Sequence, residues 1–275
     1  GRRNGCSGLS IVGKRRIAQL APGVRGKWAL FSEATGIINP FQFTVALAEN
    51  AAQNGADIML NSEVTAIEPP AGGGNSGSTR GGAPGSNAGG NPGGRSTGTD
   101  EESFVIRAGE RSFRSRLVIN AAGLASDRIA RMVSPEFEER IHPVRGEYHI
   151  LDREHADLLD MAVYPVPHAD GRGLGVHLTP TTNGNILFGP SAEFIGNRGD
   201  TATTAEVRDQ LLQEAGELMP VLRGAGVIKS YAGIRPKLFG PDSGVSFRDF
   251  HIEEPEGVPG FLNLVGIESP GLTSA

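Results

Sequence analysis

The sequence predicts a mixed fold, α/β (α+β), with two parts. Helix and strand signals alternate up to about residue 137, and short strands dominate the stretch that follows. The 275 residues suffice to bury a core without disulfides or a structural metal. We therefore expect one domain from residues 1–137 and 244–275, and a β-rich second domain from residues 138–243.

Composition excludes several functional classes. The net charge of −5 argues against nucleic acid as a partner. The single cysteine and the lack of paired-histidine spacing give no metal site, and the apolar runs are too short for a transmembrane segment. The expected location is the cytoplasm, with peripheral attachment to a membrane left open. Because the first residue is Gly and the helix signals of residues 269–275 stop abruptly, we expect a piece of a longer protein.

The first helix is predicted after Asn39 and Pro40, which suit an N-cap and a first helical position. It extends over residues 41–54, and Gly55 can end it in a left-handed conformation. Strands are expected at residues 58–60 and 63–67. Residues 71–99 are rich in glycine and hold no large apolar side chain, so we expect a disordered surface loop there.

A hairpin is predicted around Ala108-Gly109-Glu110, and its second arm leads into the apolar run 117–119. Such a run is typical of a strand buried on both faces. It ends in the small residues 120–123, and a helix is expected from Ser126. The stretch 261–273 repeats this design, an apolar strand followed by small residues and a helix start. Ligands bind at such strand ends in doubly wound sheets, so a nucleotide-type cofactor or plain tight packing is expected at both.

The β-rich part is expected to hold strands at 142–151, 162–166, 173–179, 185–189, 227–234 and 247–252. Asn183-Gly184 predicts a two-residue hairpin turn. One helix interrupts the strands, with a capping box of Thr203 and Glu206, and Pro220 ends it.

Several motifs in this order resemble the D-amino-acid-oxidase-like FAD-dependent oxidoreductases. They are residues 118–127 (VINAAGLASD), 143–148 (PVRGEY), 164–167 (YPVP), 175–180 (GVHLTP), 231–236 (YAGIRP) and 266–273 (GIESPGLT). Together they are most similar to L-2-hydroxyglutarate dehydrogenases and oxidases, and they also resemble glycerol-3-phosphate dehydrogenases. The resemblance implies a partial FAD-binding, Rossmann-like domain and a β-rich substrate domain. The family opens with a strand, a Gly-x-Gly-x-x-Gly turn and a helix, and no such fingerprint is found here, because the glycines of residues 72–98 are not placed between a strand and a helix.

The resemblance implies FAD as cofactor, a small hydroxy acid as substrate and an electron acceptor of unknown identity. The residues it implies for FAD binding follow the strands and the small-residue turns: Val64, Ala121, Ala122, Gly123, Gly233, Gly266, Ser269, Gly271, Leu272 and Thr273. The alternatives are glycerol-3-phosphate oxidation and a non-catalytic chain that has lost FAD binding.

Oxidation of a 2-hydroxy acid requires a cation for the carboxylate and an acceptor for the hydroxyl proton. A planar guanidinium binds both carboxylate oxygens, so the cation is expected to be an arginine. The resemblance implies Arg235 as the first candidate, because the arginine of this Gly-Ile-Arg-Pro motif binds the substrate carboxylate or lies beside the flavin in related flavoproteins. Arg145 is the second, with an ion pair to Glu147 or Glu138 as its structural alternative. For Arg235 the alternative is a surface ion pair.

His177 is the candidate proton acceptor. Strand alternation puts Val176 and Leu178 on one face and His177 on the other, away from the apolar layer. An ordinary histidine pKa near 6.5 suits proton transfer at neutral pH. The alternative is a structural, hydrogen-bonded histidine. Tyr148 is expected either to line the substrate pocket or to fill the core.

Overall fold

The computed structural model describes residues 2–70, 102–166 and 175–271. It divides the chain into two compact units, Gly1–Ile58 with His142–Phe247, and Met59–Ile141 with Arg248–Ala275. Residues 1–58 thus group with the β-rich part rather than with the expected first domain. Which unit binds cofactor and which binds substrate stays a prediction. The glycine-rich loop of residues 71–99 lies outside the described residues.

The first unit is built around one long strand. Its strands are β1 (Leu9–Gly13), β2 (Trp28–Ser32), β7 (His142–Leu151), β8 (His177–Pro180), β9 (Ile186–Gly189), β10 (Glu193–Phe194) and β11 (Val227–Lys237). Strand β7 is central: it pairs antiparallel with β11 on one edge, and with β9 and β10 on the other. The helices are α1 (Lys14–Leu20), α2 (Pro40–Gln53) and α4 (Ala205–Leu218).

The core of this unit lies between the β7–β9–β8 sheet and α4. The strands and the helix contribute apolar side chains with almost no solvent exposure: Leu151, Val176, Leu178, Ile186, Phe188, Leu211, Ala215, Met219 and Leu222. One face of the sheet therefore packs against α4, and the opposite face is available for other contacts.

Local sequence signals predict the starts of the two long helices to within one residue. Asn39 caps α2 by accepting a hydrogen bond from the Gln42 amide at 3.1 Å, and Gly55 follows the helix with φ +90°. The capping box at Thr203 is wrong by one residue, because Thr204 is the N-cap of α4 and accepts from the Val207 amide at 3.2 Å.

The second unit contains two small sheets and a helix. Strands β3 (Val64–Glu68), β4 (Phe104–Ala108) and β5 (Arg111–Ser115) form one antiparallel sheet. Strands β6 (Val118–Asn120), β12 (His251–Glu253) and β13 (Phe261–Val265) form the other, in which β6 and β13 are parallel. Helix α3 (Ser126–Val133) packs against β3 and β13. Phe104 and Phe261 meet in the core of this unit with ring centroids 6.1 Å apart.

Four sequence expectations differ from this structure. Residues 58–60 form no strand, and residues 162–166 make only an isolated bridge from Val163 to Leu178. The hairpin between β8 and β9 has a wider loop, in which only Gly184 adopts positive φ. The run 117–119 is not buried on both faces, because Leu117 and Ile119 are 60% and 54% exposed.

Candidate active site

Strands β7 and β11 together present one polar face. Their register pairs Tyr148 with Tyr231, Gly146 with Gly233, and Val144 with Arg235. Paired residues in an antiparallel ladder project to the same side, and alternate residues share that side. Gly146, Tyr148, Tyr231 and Arg235 therefore lie on one face, here called the site face. His177 joins them, because it pairs with Gly189 while the adjacent pair Leu178–Phe188 lies in the core.

Aromatic rings crowd around His177. Its imidazole stacks on Tyr164 with centroids 4.4 Å apart, and Tyr148 approaches it edge-on at 6.4 Å. Tyr148 in turn stacks on Tyr231 at 5.7 Å. All three tyrosines of the chain thus line this site. Burial raises the pKa of Tyr164 and of Tyr231, so both phenols stay protonated at neutral pH.

The geometry of His177 fixes its tautomer. Its Nδ1 lies 3.3 Å from the Gly175 carbonyl oxygen, which can only accept, so Nδ1 carries the hydrogen and Nε2 the lone pair. Burial lowers the pKa of His177; the bond to Gly175 opposes this, and the nearby Arg235 charge lowers the pKa further. The imidazole is therefore neutral at neutral pH, and its Nε2, which has no hydrogen-bond partner in the part of the chain that the structure describes, can accept a proton. Its expected position off the apolar layer is confirmed, since Val176 and Leu178 both lie in the core.

The two candidate arginines occupy different environments. Among the described residues no carboxylate makes an ion pair with Arg235, which is only partly buried. Arg145 projects to the opposite face and is 7% exposed. Its guanidinium donates to Glu193 at 2.7 Å and to Asp200 at 2.9 Å. The hydrogen bond to Glu193 raises the pKa of Arg145; burial opposes this, and the charges of Glu193, Asp200 and Glu147 add to the increase. The ion-pair partners of Arg145 are thus Glu193 and Asp200 rather than Glu147 or Glu138, although the Glu147 charge lies close enough to contribute.

Sequence reasoning did not single out Tyr231 or Gly146. Tyr231 stands four residues before Arg235 in one strand, so an even spacing put both on the same side. That signal was present in the sequence. The sequence gives no comparable signal for Gly146, because what distinguishes it is a contact with the Arg235 side chain on the neighbouring strand.

The small-residue turns implied for FAD lie in the second unit. Strands β6 and β13 are parallel, so both carboxyl ends meet at one edge of their sheet. Asn120 and Asn263 pair at that edge; both are buried, and Asn120 Nδ2 donates to Asn263 Oδ1 at 2.9 Å. The same amide group donates to the Ser126 carbonyl at 2.8 Å, which fixes the start of α3 relative to β6.

The residues after these strands have the compact backbone that a nucleotide-type group needs. Ala121, Ala122 and Gly123 are exposed, and Gly123 has φ +53°. After β13, Gly266 has φ +74°, and the Gly271 amide donates to Glu268. A Cβ on Gly271 would lie 2.7 Å from Ile267 Cγ2, so the turn has no room for a side chain there. Small residues at parallel strand ends, exposed after β6 and buried at Gly266 and Gly271 after β13, fit a phosphate- or flavin-bearing cofactor.

The remaining residues implied for FAD are placed as follows. Val64 packs against the core of the second unit, and Ser269 is exposed in the turn after β13. Gly233 lies on the site face of the first unit, with no atom within 4 Å of a Cβ built on it. Leu272 and Thr273 lie outside the described residues. Their contacts with FAD stay predictions.

The whole chain, residues 1–275, matches the family model described as DAO, FAD dependent oxidoreductase. The protein belongs to this family of flavin-dependent oxidoreductases. The match confirms the resemblance stated from the motifs, the expected mixture of helices and sheets, and FAD as the cofactor of the family.

Curated relatives fall into two substrate classes. The chain is 33% identical over 277 residues to a glycerol 3-phosphate dehydrogenase of Caloramator mitchellensis, covering 100% of this chain and 49% of the relative. It is 30% identical over 294 residues to the mitochondrial L-2-hydroxyglutarate dehydrogenase of Arabidopsis thaliana, covering 100% of this chain and 59% of the relative. The chain thus spans about half the length of these curated relatives.

Solved structures share the fold. An L-alpha-glycerophosphate oxidase from Mycoplasma pneumoniae with FAD bound matches with a TM-score of 0.70 and 23% identity, over 97% of this chain and 61% of that one. The L-proline dehydrogenase from P. horikoshii matches with a TM-score of 0.73 and 17% identity, over 96% and 60%. No helix among the described residues is long and apolar enough to cross a membrane. The cytoplasmic location stays a prediction.

Proposed function

We propose that the protein takes part in FAD-dependent oxidation of a small 2-hydroxy acid of the L-2-hydroxyglutarate type. The observation that carries this proposal is the pairing of a cation and a base on the site face. Arg235 has no carboxylate partner among the described residues, and its positive charge lowers the pKa of the nearby, neutral His177. A 2-hydroxy acid presents the matching groups, a carboxylate and an adjacent hydroxyl.

Each residue of the site face has a defined task in this proposal. The Arg235 guanidinium binds the substrate carboxylate through two parallel hydrogen bonds. His177 Nε2 accepts the proton of the C2 hydroxyl, while the bond from Nδ1 to Gly175 holds the ring. The stacked rings of Tyr148 and Tyr231 form an aromatic wall on the same face, against which the substrate packs. FAD, when bound, supplies the acceptor for the hydride that leaves C2.

The small-residue turns of the second unit are the proposed FAD contacts of this chain. Ala121, Ala122 and Gly123 offer an exposed small-residue backbone, and Gly266 and Gly271 have no side chain that would hinder close approach. Asn120 stabilises the first of these turns, because its Oδ1 accepts from the Ala122 amide at 3.4 Å.

Arg145 does not act as a substrate ligand in this proposal. Binding a substrate anion would require it to give up Glu193 or Asp200 inside a buried site. This observation also favours a carboxylate over a phosphate substrate. Among the described residues of the site face, Arg235 is the only arginine, and a phosphate dianion calls for more cationic donors than one guanidinium. The glycerol 3-phosphate dehydrogenase relative keeps glycerol 3-phosphate as the second candidate.

Anaerobic stopped-flow reduction of the flavin separates the candidates. The FAD-loaded protein is mixed with L-2-hydroxyglutarate and, in parallel, with glycerol 3-phosphate. We expect rapid bleaching of the flavin absorbance with the hydroxy acid only. Arg235→Lys should raise the hydroxy-acid concentration at which the rate of flavin reduction is half-maximal. The matched control is Arg208→Lys, which changes a partly exposed arginine on α4. Faster reduction by glycerol 3-phosphate would reverse the assignment, and no reduction by either would favour the non-catalytic alternative.

A further inference from the structure

Gly146 lies directly beneath the end of the Arg235 side chain. A Cβ built on Gly146 would be 3.0 Å from Arg235 Nη2, 3.2 Å from Arg235 Nη1 and 3.1 Å from the Ser191 carbonyl oxygen. Both guanidinium nitrogens therefore rest against the bare backbone of β7. On the cross-strand partner, Gly233, a Cβ would meet nothing within 4 Å, so the contact is specific to position 146.

The Ser191 carbonyl on the other side of Gly146 is held in place. The Ser191 amide donates to the Glu147 carbonyl at 3.2 Å, and the Ser191 hydroxyl accepts from the Glu147 amide at 2.9 Å. Ser191 is thus bound twice to the residue after Gly146. A methyl group at position 146 would find this oxygen fixed, and the flexible end of Arg235 would have to move.

Charged side chains on the opposite face of β7 hold the rest of the Ser191 segment. Arg145 binds Glu193 and Asp200, and the buried Glu147 carboxylate accepts from the Thr204 amide at 3.0 Å. These bonds fasten residues 193–204 along β7. The position of Ser191 is therefore set by the strand itself.

We propose that Gly146 is a positioning residue: together with the Ser191 carbonyl it forms a seat that fixes the Arg235 guanidinium for bidentate binding of the substrate carboxylate. This inference rests on the proposed role of Arg235. A side chain at position 146 lifts the guanidinium off the sheet. One of the two parallel hydrogen bonds to the carboxylate is then lost, while the charge remains.

The test is a double-mutant cycle read by ligand binding rather than turnover. Isothermal titration calorimetry measures the Kd of 2-oxoglutarate for the oxidised, FAD-loaded protein; this dicarboxylate has a ketone at C2 and therefore no hydride to donate to the flavin. The four proteins are wild type, Gly146→Ala, Arg235→Ala and the double variant. Gly226→Ala, a glycine beside β11 with nothing within 4 Å of its Cβ position, controls for the loss of a glycine. Flavin content and thermal unfolding check that each variant is folded and loaded.

We expect Gly146→Ala to weaken binding about tenfold, equivalent to about 1.4 kcal/mol. Arg235→Ala should weaken it further, and adding Gly146→Ala to Arg235→Ala should change nothing, because the guanidinium that Gly146 seats is gone. A purely structural effect of Gly146 would instead persist in the double variant, and that result would overturn the inference. Unchanged binding in Gly146→Ala would overturn it as well. Unchanged binding in Arg235→Ala would refute the proposed function itself.

Discussion

Replacement of Arg145 by methionine tests whether this arginine serves the fold or the substrate. Arg145 is buried under β7 and bonded through separate nitrogens to Glu193 and Asp200. Methionine preserves most of the side-chain volume but removes the charge and both donors. If Arg145 stabilises the fold, this change lowers the free energy of unfolding. If Arg145 only binds substrate, the free energy of unfolding stays the same.

The size of the effect follows from the exposure of the partners. Each hydrogen bond to a charged group contributes roughly 1.5–3 kcal/mol. The Glu193 and Asp200 side chains are 54% and 39% exposed, so both carboxylates regain water when Arg145 is lost. Replacement of Arg145 also removes its buried Nε, which has no hydrogen-bond partner among the residues that the structure describes. We expect the free energy of unfolding to fall by about 2–3 kcal/mol.

Urea unfolding followed by circular dichroism measures this difference. The matched control is Arg208→Met in the same unit, where the ion pair to Asp209 has side chains 40% and 66% exposed. Such surface pairs contribute about 0–1 kcal/mol. An equal decrease in the free energy of unfolding in the two variants would refute the structural role of Arg145 and would make it a candidate substrate ligand again.

Three further predictions concern the proton acceptor and the cofactor edge. His177→Ala should slow flavin reduction by a 2-hydroxy acid by roughly 10²–10⁴-fold in stopped-flow, with a smaller effect on substrate affinity; a wild-type rate would remove His177 from the mechanism. Because burial lowers the pKa of His177, the acidic limb of the pH–rate profile should lie below the ordinary pKa of 6.5. The Arg235 charge also lowers the pKa of His177, so Arg235→Met should move that limb to higher pH. An acidic limb above pH 6.5 in the wild type would contradict this prediction. Asn120→Ala should lower the free energy of unfolding by about 2 kcal/mol in urea titrations, since the buried Ser126 carbonyl and Asn263 Oδ1 lose their donor, and an unchanged midpoint would show that other groups replace it.

The sequence predicted those features that depend on neighbours along the chain. Asn39 and Pro40 place the start of α2 because an N-cap acts within three residues. Gly109 marks the β4–β5 hairpin through its positive φ. Strand alternation put His177 opposite Val176 and Leu178, because successive side chains in a strand always point to opposite faces.

The family resemblance ranked Arg235 ahead of Arg145, but only the tertiary structure gave the physical reason that separates the two arginines. Both stand in extended segments next to proline or glycine, and nothing local separates them. Arg145 is neutralised by Glu193 and Asp200, which are 48 and 55 residues away in sequence. Arg235 keeps its charge free among the described residues because the β7–β11 register sets it over a glycine rather than a carboxylate. Ion pairing depends on distances of a few ångströms between groups that are far apart along the chain, and those distances are set by strand register and packing.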